Sequence, residues 1–267
     1  MDAASFPRAA KTAMCIGRIQ SMAGIPELLS LCSSQQFWNL CYVYRTDTKY
    51  GRDSRIVEKN ISFDLPISRK KNGEYRHPAG TFFWTCFTSD FLLDVCDNWR
   101  TEAWQMIKQR SDCHFLFITK RIHRFTVNLP DDWADGYENV SVCVTCENQA
   151  RADERLPIFR SLPIRHKYIV LEPLLEHVDI SAWLDSEIRE VVVGGESGQE
   201  ARICDFEWIL ALREQCVKAD VSFRFKQTGS HFHKDGILYN IPRKLQHAQA
   251  RKAAISYTSL KQKSGAM

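Results

Sequence analysis

Two thiols, Cys32 and Cys41, flank a Trp-Asn pair in the stretch CSSQQFWNLCYVYR (32–45) and lead into Tyr42, Tyr44 and Arg45. Thiolates this close in sequence could ligate a metal or an iron–sulfur cluster. They could equally be ordinary small residues of an apolar strand. Eight further cysteines are scattered along the chain, among them Cys15, Cys86, Cys143 and Cys146. Cys143 and Cys146 form a C-x-x-C, but side chains three apart on a strand point to opposite faces, so joint chelation is not expected. The first twenty residues lack the continuous apolar core of a secretory signal, and their Ala- and Arg-rich, acid-poor composition is a faint transit-peptide signal. Free thiols in a reducing cytoplasm are therefore the expectation.

A second set of groups carries charge. Six short apolar runs, FFWTCF (82–87), HFLFIT (114–119), VSVCVTC (140–146), KYIVLEP (167–173), REVVVGG (189–195) and VSFRFKQ (221–227), end abruptly in polar residues. At or just beyond those ends stand Asp90, Lys120, Glu147 with Asn148, Glu172, the pair Gly194 and Gly195 followed by Glu196, and Lys226. Charge at the rim of an apolar sheet is costly unless it is paired or holds a ligand. A ring of alternating charge gripping a polar ligand is one reading; ion pairs closed among themselves are the other. The GGESG stretch (194–198) permits close backbone approach, so its amides could hold a phosphate or carboxylate; the plain alternative is a tight turn.

Positioning these groups requires a parallel scaffold. The runs are short, nearly continuous in apolarity and rich in β-branched or aromatic residues, as strands buried on both faces are. A further strand is expected near 38–44. Helical periodicity separates the runs. NWRTEAWQMIKQR (98–110) places Trp99, Ala103, Met106 and Ile107 on one face, and ENQARADERLPIFRSL (147–162) should kink or end at Pro157. DFEWILALREQCVKA (205–219) has Asp205 as its N-cap. Strand and helix alternating in this way give βαβ units. The expected fold is α/β, a (β/α) TIM-like barrel that is partial, with an open doubly wound sheet as second choice, because no Gly-rich dinucleotide fingerprint follows the first strand. Residues 46–80 interrupt the pattern and read as a β-hairpin insertion around Asn72-Gly73. The organisation expected is a segment 1–37, one barrel domain over 38–242 containing that insertion, and a basic tail over 243–267.

The whole-chain totals are permissive. Net charge is +4 over 267 residues, which allows a nucleic-acid partner without demanding one. No apolar run is long enough to span a membrane. Walker, zincin and nucleophile-elbow motifs are all missing. RTDTKYGRDSR (45–55) and the tail, acid-free from Arg243 to Lys263, could touch nucleic acid or simply be solvated basic faces.

Seven motifs then fall in one order: CYVYRTDTKYGRDS (41–54), TCFTSDF (85–91), FLFITKR (115–121), ENQARADERLPIF (147–159), LEPLL (171–175), VVVGGESG (191–198) and FRFKQTG (223–229). Together they resemble a phage- and bacteria-associated family of unknown function whose members carry three cysteines near the N-terminus and are similar to radical S-adenosylmethionine (SAM) enzymes. The resemblance implies a radical-SAM-like barrel, a [4Fe–4S] cluster and SAM, with no established reaction. The family loop reads C-x6-C-x2-C before Y-V-Y-R. Cys41 matches its last cysteine; Trp38 and Leu31 stand where the others belong, and Cys32 is one residue out of register. Three thiolates are needed to hold such a cluster and leave one iron open. The chain is then a degenerate copy, or is altered over its first forty residues, or builds a rearranged cluster from Cys41, Cys32 and a third thiol such as Cys15 or Cys86. Under this resemblance, strand-end position makes Glu147 and Asn148 candidates for the cofactor ribose, and Gly194, Gly195 and Glu196 further candidates for the cofactor. Asp90, Lys120, Glu172 and Lys226 would line the mouth. The competing expectation is a barrel without a cluster that binds nucleic acid or a phage-encoded protein through the basic insertion and tail.

Overall fold

The computed structural model describes residues 12–14, 18–19, 51, 57–59, 61–86 and 90–261. Cys32, Cys41, Cys15 and the strand expected at 38–44 lie outside these residues. The described chain falls into two compact units, one ending at Asp132 and the other beginning at Trp133.

The first unit contains β1 (Thr12–Met14), β2 (Arg18–Ile19), β3 (Val57–Glu58), β4 (Phe82–Thr85), helix α1 (Asp97–Gln109) and β5 (His114–Thr119). β4 lies between β1 and β5, parallel to both, and β2 pairs antiparallel with β3. The core is aromatic. Phe91 stacks on Phe117 at 4.4 Å and meets Trp104 edge-on at 4.9 Å. α1 buries Ala103, Trp104, Met106 and Ile107, with Trp99 only half-buried. It also buries Arg100 completely, which periodicity did not suggest. In the 46–80 insertion, Asn72-Gly73 does form a reversal, and Gly73 has φ of 86°. The reversal carries a single bridge between Arg69 and Tyr75, so among the described residues it is a turn rather than a two-stranded hairpin.

The second unit contains β6 (Val140–Thr145), α2 (Gln149–Ser161), β7 (His166–Leu171), β8 (Ile188–Gly194), β9 (Ile203–Asp205), α3 (Phe206–Lys218), β10 (Ser222–Gln227), β11 (His231–Lys234), β12 (Ile237–Asn240) and α4 (Arg243–Lys252). Strands β6, β7, β8 and β10 are neighbours in that order and all parallel. β9, β11 and β12 form a separate small sheet that the sequence reading did not foresee. Asp205 caps α3 as expected, its carboxylate accepting from Glu207 N at 2.8 Å. α2 does not stop at Pro157: it continues to Ser161, with Leu156 and Phe159 buried on either side of the proline. Burial of that last turn outweighs the backbone hydrogen bond that proline cannot make.

The architecture is thus parallel α/β, as expected. Continuation of the second unit's sheet into a barrel is not seen beyond β10. There the outer edge of β10 is closed by a single antiparallel bridge, with Phe223 and Tyr257 exchanging both backbone hydrogen bonds at 2.8 Å. Covering an edge in this way hides unpaired peptide groups without adding a strand. No described helix is long and apolar enough to cross a membrane.

Candidate functional site

Side chains alternate across a strand, and strand register then decides which of them share a face. In the second unit Cys143, Tyr168, Glu190 and Ser222 lie in one cross-strand row, and Thr145, Val170, Val192 and Arg224 in the next. Two residues further on stand Glu147 and Glu172. The opposite face carries Val142, Val144, Ile169, Leu171, Val191, Val193, Phe223 and Phe225, and α3 and α4 pack against β10. One face of this sheet is therefore apolar apart from buried Lys167 beside Val142, while the other bears three carboxylates (Glu147, Glu172 and Glu190), two cations (Arg224 and Lys226) and the phenol of Tyr168.

The Glu172 carboxylate is the meeting point of this face. Lys226 Nζ donates to it at 2.6 Å and Gln227 Nε2 at 2.5 Å. Consecutive strand residues normally point opposite ways. Here the β10–β8 register shifts between Phe225 and Gln227, and this irregularity lets both neighbours reach one acceptor. The floor beneath is Gly194, where an added Cβ would meet Gln227 Cγ at 3.0 Å and Glu172 Cδ at 3.3 Å. Glu172 is largely covered, with 15% of its side chain exposed, whereas Lys226 is 45% exposed. The lysine end of the pair therefore faces solvent.

One turn of the alternation below, Arg224 Nη2 donates to Glu190 at 2.8 Å. This pair is deeper. Burial pushes the Glu190 carboxyl up to about 7, against the opposing pull of Arg224. Burial also lowers Arg224, offset in part by Glu190. Tyr168 is pushed up to about 12, first by burial and then by Cys143 and Glu190. A carboxyl held near neutrality beside a guanidinium can take or give a proton at physiological pH.

The other residues singled out from the sequence are engaged locally. Glu147 pairs with Arg155 at 2.8 Å, and Arg155 also donates to Thr145 O. The Asn148 side chain caps α2, accepting from Arg151 N at 3.0 Å. Glu196 accepts from Arg202 Nε at 2.8 Å and Arg202 N at 3.0 Å, which closes the loop between β8 and β9. The glycine stretch is a packing device, not an open amide nest: Gly195 N donates to Gln227 O at 3.1 Å and Gly198 N to Ser230 Oγ at 2.9 Å. An added Cβ at Gly195 would sit 2.3 Å from Thr228 O, so only glycine lets the two backbones approach. No helix follows GGESG directly; β9 does.

In the first unit Asp90 is buried and fully engaged. It accepts from Leu92 N at 3.0 Å, Thr119 Oγ1 at 2.8 Å, Lys120 N at 3.0 Å and Arg121 Nη1 at 2.9 Å. Lys120 contributes its backbone to that knot, and its side chain is half-buried. Asp90 is thus a brace for the end of β5.

The described cysteines do not assemble a metal centre. Among the described residues no three His, Cys, Asp or Glu groups converge as ligands. Burial pushes the thiols of Cys96, Cys204 and Cys216 up to about 12 and raises Cys143 as well, the reverse of what a thiolate ligand requires. Cys143 and Cys146 are both fully buried. The donor set for a [4Fe–4S] cluster is therefore not met by the described residues.

Sequence reasoning passed over Glu190, Arg224 and Tyr168. The available signal was the alternation of Arg224 and Lys226 with phenylalanine in SFRFKQ and Glu190 at the head of the apolar run VVVGG. A family model described as a protein of unknown function (DUF5131) matches residues 36–264. No curated protein and no solved structure matches the chain.

Proposed function

The chain belongs to this family of unknown function, DUF5131, and we propose that it binds a small zwitterionic ligand, the methionyl end of SAM being the type, on the polar face of β6, β7, β8 and β10. The observation that carries this reading is the Glu172 carboxylate shared by Lys226 at 2.6 Å and Gln227 at 2.5 Å. An amino acid presents an ammonium and a carboxylate side by side. The ammonium would replace Lys226 at Glu172, and the displaced Lys226, with Gln227, would take the carboxylate. Each partner of the ion pair then trades one opposite charge for another, so little desolvation is added on binding.

The sequence resemblance to a radical-SAM-like (β/α) barrel supports the same choice, since parallel folds bind ligands at the carboxyl ends of their strands. Cleavage of SAM by such an enzyme calls for a reduced iron–sulfur cluster. Cys41 and the out-of-register Cys32 are the only cysteines of the 32–45 loop, and no described set supplies the rest. The proposed activity is therefore binding of the SAM type.

Calorimetric titration with SAM tests the reading. A single binding event is expected for the wild type, weakened at least about tenfold in Glu172→Gln and Lys226→Met, which each lose one charge of the exchanged pair. Lys234→Met serves as a control and should bind unchanged. Absence of binding heat in the wild type, or equal binding in all four proteins, would overturn the proposal.

A further inference from the structure

The last strand and last helix of the second unit carry a surface that the ligand reading does not use. Strand β12 ends the three-stranded sheet and is exposed throughout, with Ile237 53%, Leu238 50% and Tyr239 42% exposed. It is joined to β11 by the two-residue turn Asp235-Gly236, both at positive φ. In such a hairpin the inward hydrogen-bonded positions alternate. Ile241 N donates to Ser230 O at 2.8 Å on the inner side. By that alternation Tyr239 and Ile237 also face inward, and Leu238 and Asn240 turn their N–H and C=O groups outward. Among the described residues no strand lies against that outer edge.

Helix α4 follows immediately after Pro242. It is basic from end to end, with Arg243, Lys244, His247, Arg251 and Lys252 all exposed. In the rest of the second unit most cations are paired: Arg151, Arg155, Arg160, Arg165, Lys167, Arg202, Arg224 and Lys226 each hold a carboxylate. Arg243, Lys244, Arg251 and Lys252 make no ion pair among the described residues, and no acid lies between Arg243 and Lys263. Arg243 and Lys244 also stand at the helix N-terminus, where the macrodipole disfavours positive charge. Arg243 and Lys244 therefore do not serve the stability of α4, whereas Arg251 and Lys252 lie in its last turn, where the dipole favours them.

We propose that β12 and α4 form a docking surface for an extended acidic peptide segment of a partner protein, added as a further strand along the outer edge of β12. The exposed edge supplies alternating peptide groups, Leu238 and Ile237 supply apolar contacts on either face, and α4 supplies the cations that select acidic side chains. Other occupants fit less well. A second copy would bring a surface of the same sign. Residues 1–50 of this chain hold three acids, Asp2, Glu27 and Asp47, against five cations, so they are not an acidic strand either. A nucleic acid would use the cations but offers nothing to a peptide edge or to exposed Ile237 and Leu238, and only Tyr239 is present for base stacking.

The experiment is fluorescence anisotropy on the full chain with three labelled probes: a short peptide of alternating valine and glutamate, its valine–lysine counterpart, and a single-stranded DNA. The acidic peptide should bind, the lysine peptide should not, and affinity should fall with added salt. Two variants should each weaken acidic-peptide binding roughly tenfold. Leu238→Pro removes the outward N–H and leaves the inward ladder of the hairpin. The pair Arg243→Glu with Lys244→Glu reverses charge where the helix dipole favours it, so its melting temperature should not fall. If Leu238→Pro fails to fold, the charge-reversal pair and the lysine probe decide. Tighter binding of DNA than of the acidic peptide, equal binding of both peptides, or binding of neither would overturn the proposal. Titration with SAM is a separate readout that both variants should leave unchanged.

Discussion

Asp90 and Glu172 stand just beyond the carboxyl ends of parallel strands, one in each unit, and they are held in opposite ways. Asp90 is buried and accepts from two backbone amides, a hydroxyl and the buried guanidinium of Arg121. Glu172 is held by two side-chain heads, of which Lys226 is 45% exposed. A carboxylate fixed by backbone donors has no partner that it can release without breaking the fold. One fixed by a solvated lysine can change partners at little cost. A carboxylate and a strand-end location are shared, so the donors separate a brace from a binding group.

That contrast can be broken or sharpened by substitution. The largest effect is expected at Arg100, a fully buried guanidinium that donates to Phe91 O, Leu93 O, Val127 O and Asp97. Arg100→Ala strands the Phe91 and Val127 carbonyls and empties a fully buried side-chain volume, although Leu93 O keeps Cys96 N and Asp97 keeps Arg124, and should cost about 3–5 kcal/mol in denaturant unfolding. Asp90→Asn is next. It replaces the buried carboxylate that accepts from Arg121 Nη1, Thr119 Oγ1 and two backbone amides with a neutral amide and should cost about 2–3 kcal/mol, with SAM affinity unchanged wherever the protein is folded. Equal stability of Asp90→Asn and wild type would contradict its role as a brace.

The Glu190–Arg224 pair supplies a pH test. Burial raises the Glu190 carboxyl from 4.5 to about 7 on folding. The folded state therefore binds more protons than the unfolded state between those two values, so this group's contribution to stability is fully present below about 4.5 and is lost as pH rises toward about 7. Above that pH its contribution is flat. Unfolding midpoints measured across this window should fall more steeply in wild type than in Glu190→Gln, and coincident slopes would count against a raised carboxyl. The smallest stability effect is expected at Glu172→Gln. Its pair with half-exposed Lys226 should be worth less than about 1 kcal/mol to folding, so a much larger loss would move Glu172 into the class of Asp90.

What could be read in advance follows the range of the forces. All six of the strands expected from residue 82 onward appear, with ends within two residues of the apolar runs that mark them. Continuous apolarity and flanking polar residues are local signals. The Asp205 cap is legible for the same reason. Arg100 was not, because nothing in an amphipathic helix pattern tells a buried guanidinium from a solvated one. Its acceptors lie as far off as Val127, at a separation of 27 residues. Glu190 and Arg224 are 34 residues apart, and only strand register places them side by side. The rim charges Glu147, Glu172 and Glu196 were legible as a set, but their division into loop closures and a ligand face depended on which cation each one met. The C-x8-C loop that first suggested a cluster lies outside the described residues, and the polar face carries the functional reading in its place.

The most direct measurement is the dissociation constant for SAM of Glu172→Gln against wild type, taken together with the unfolding free energy of the same two proteins. An affinity loss of at least about tenfold with a stability change below about 1 kcal/mol is expected if Glu172 binds the ligand. A large loss of stability with unchanged affinity would show that Glu172, like Asp90, only braces the fold.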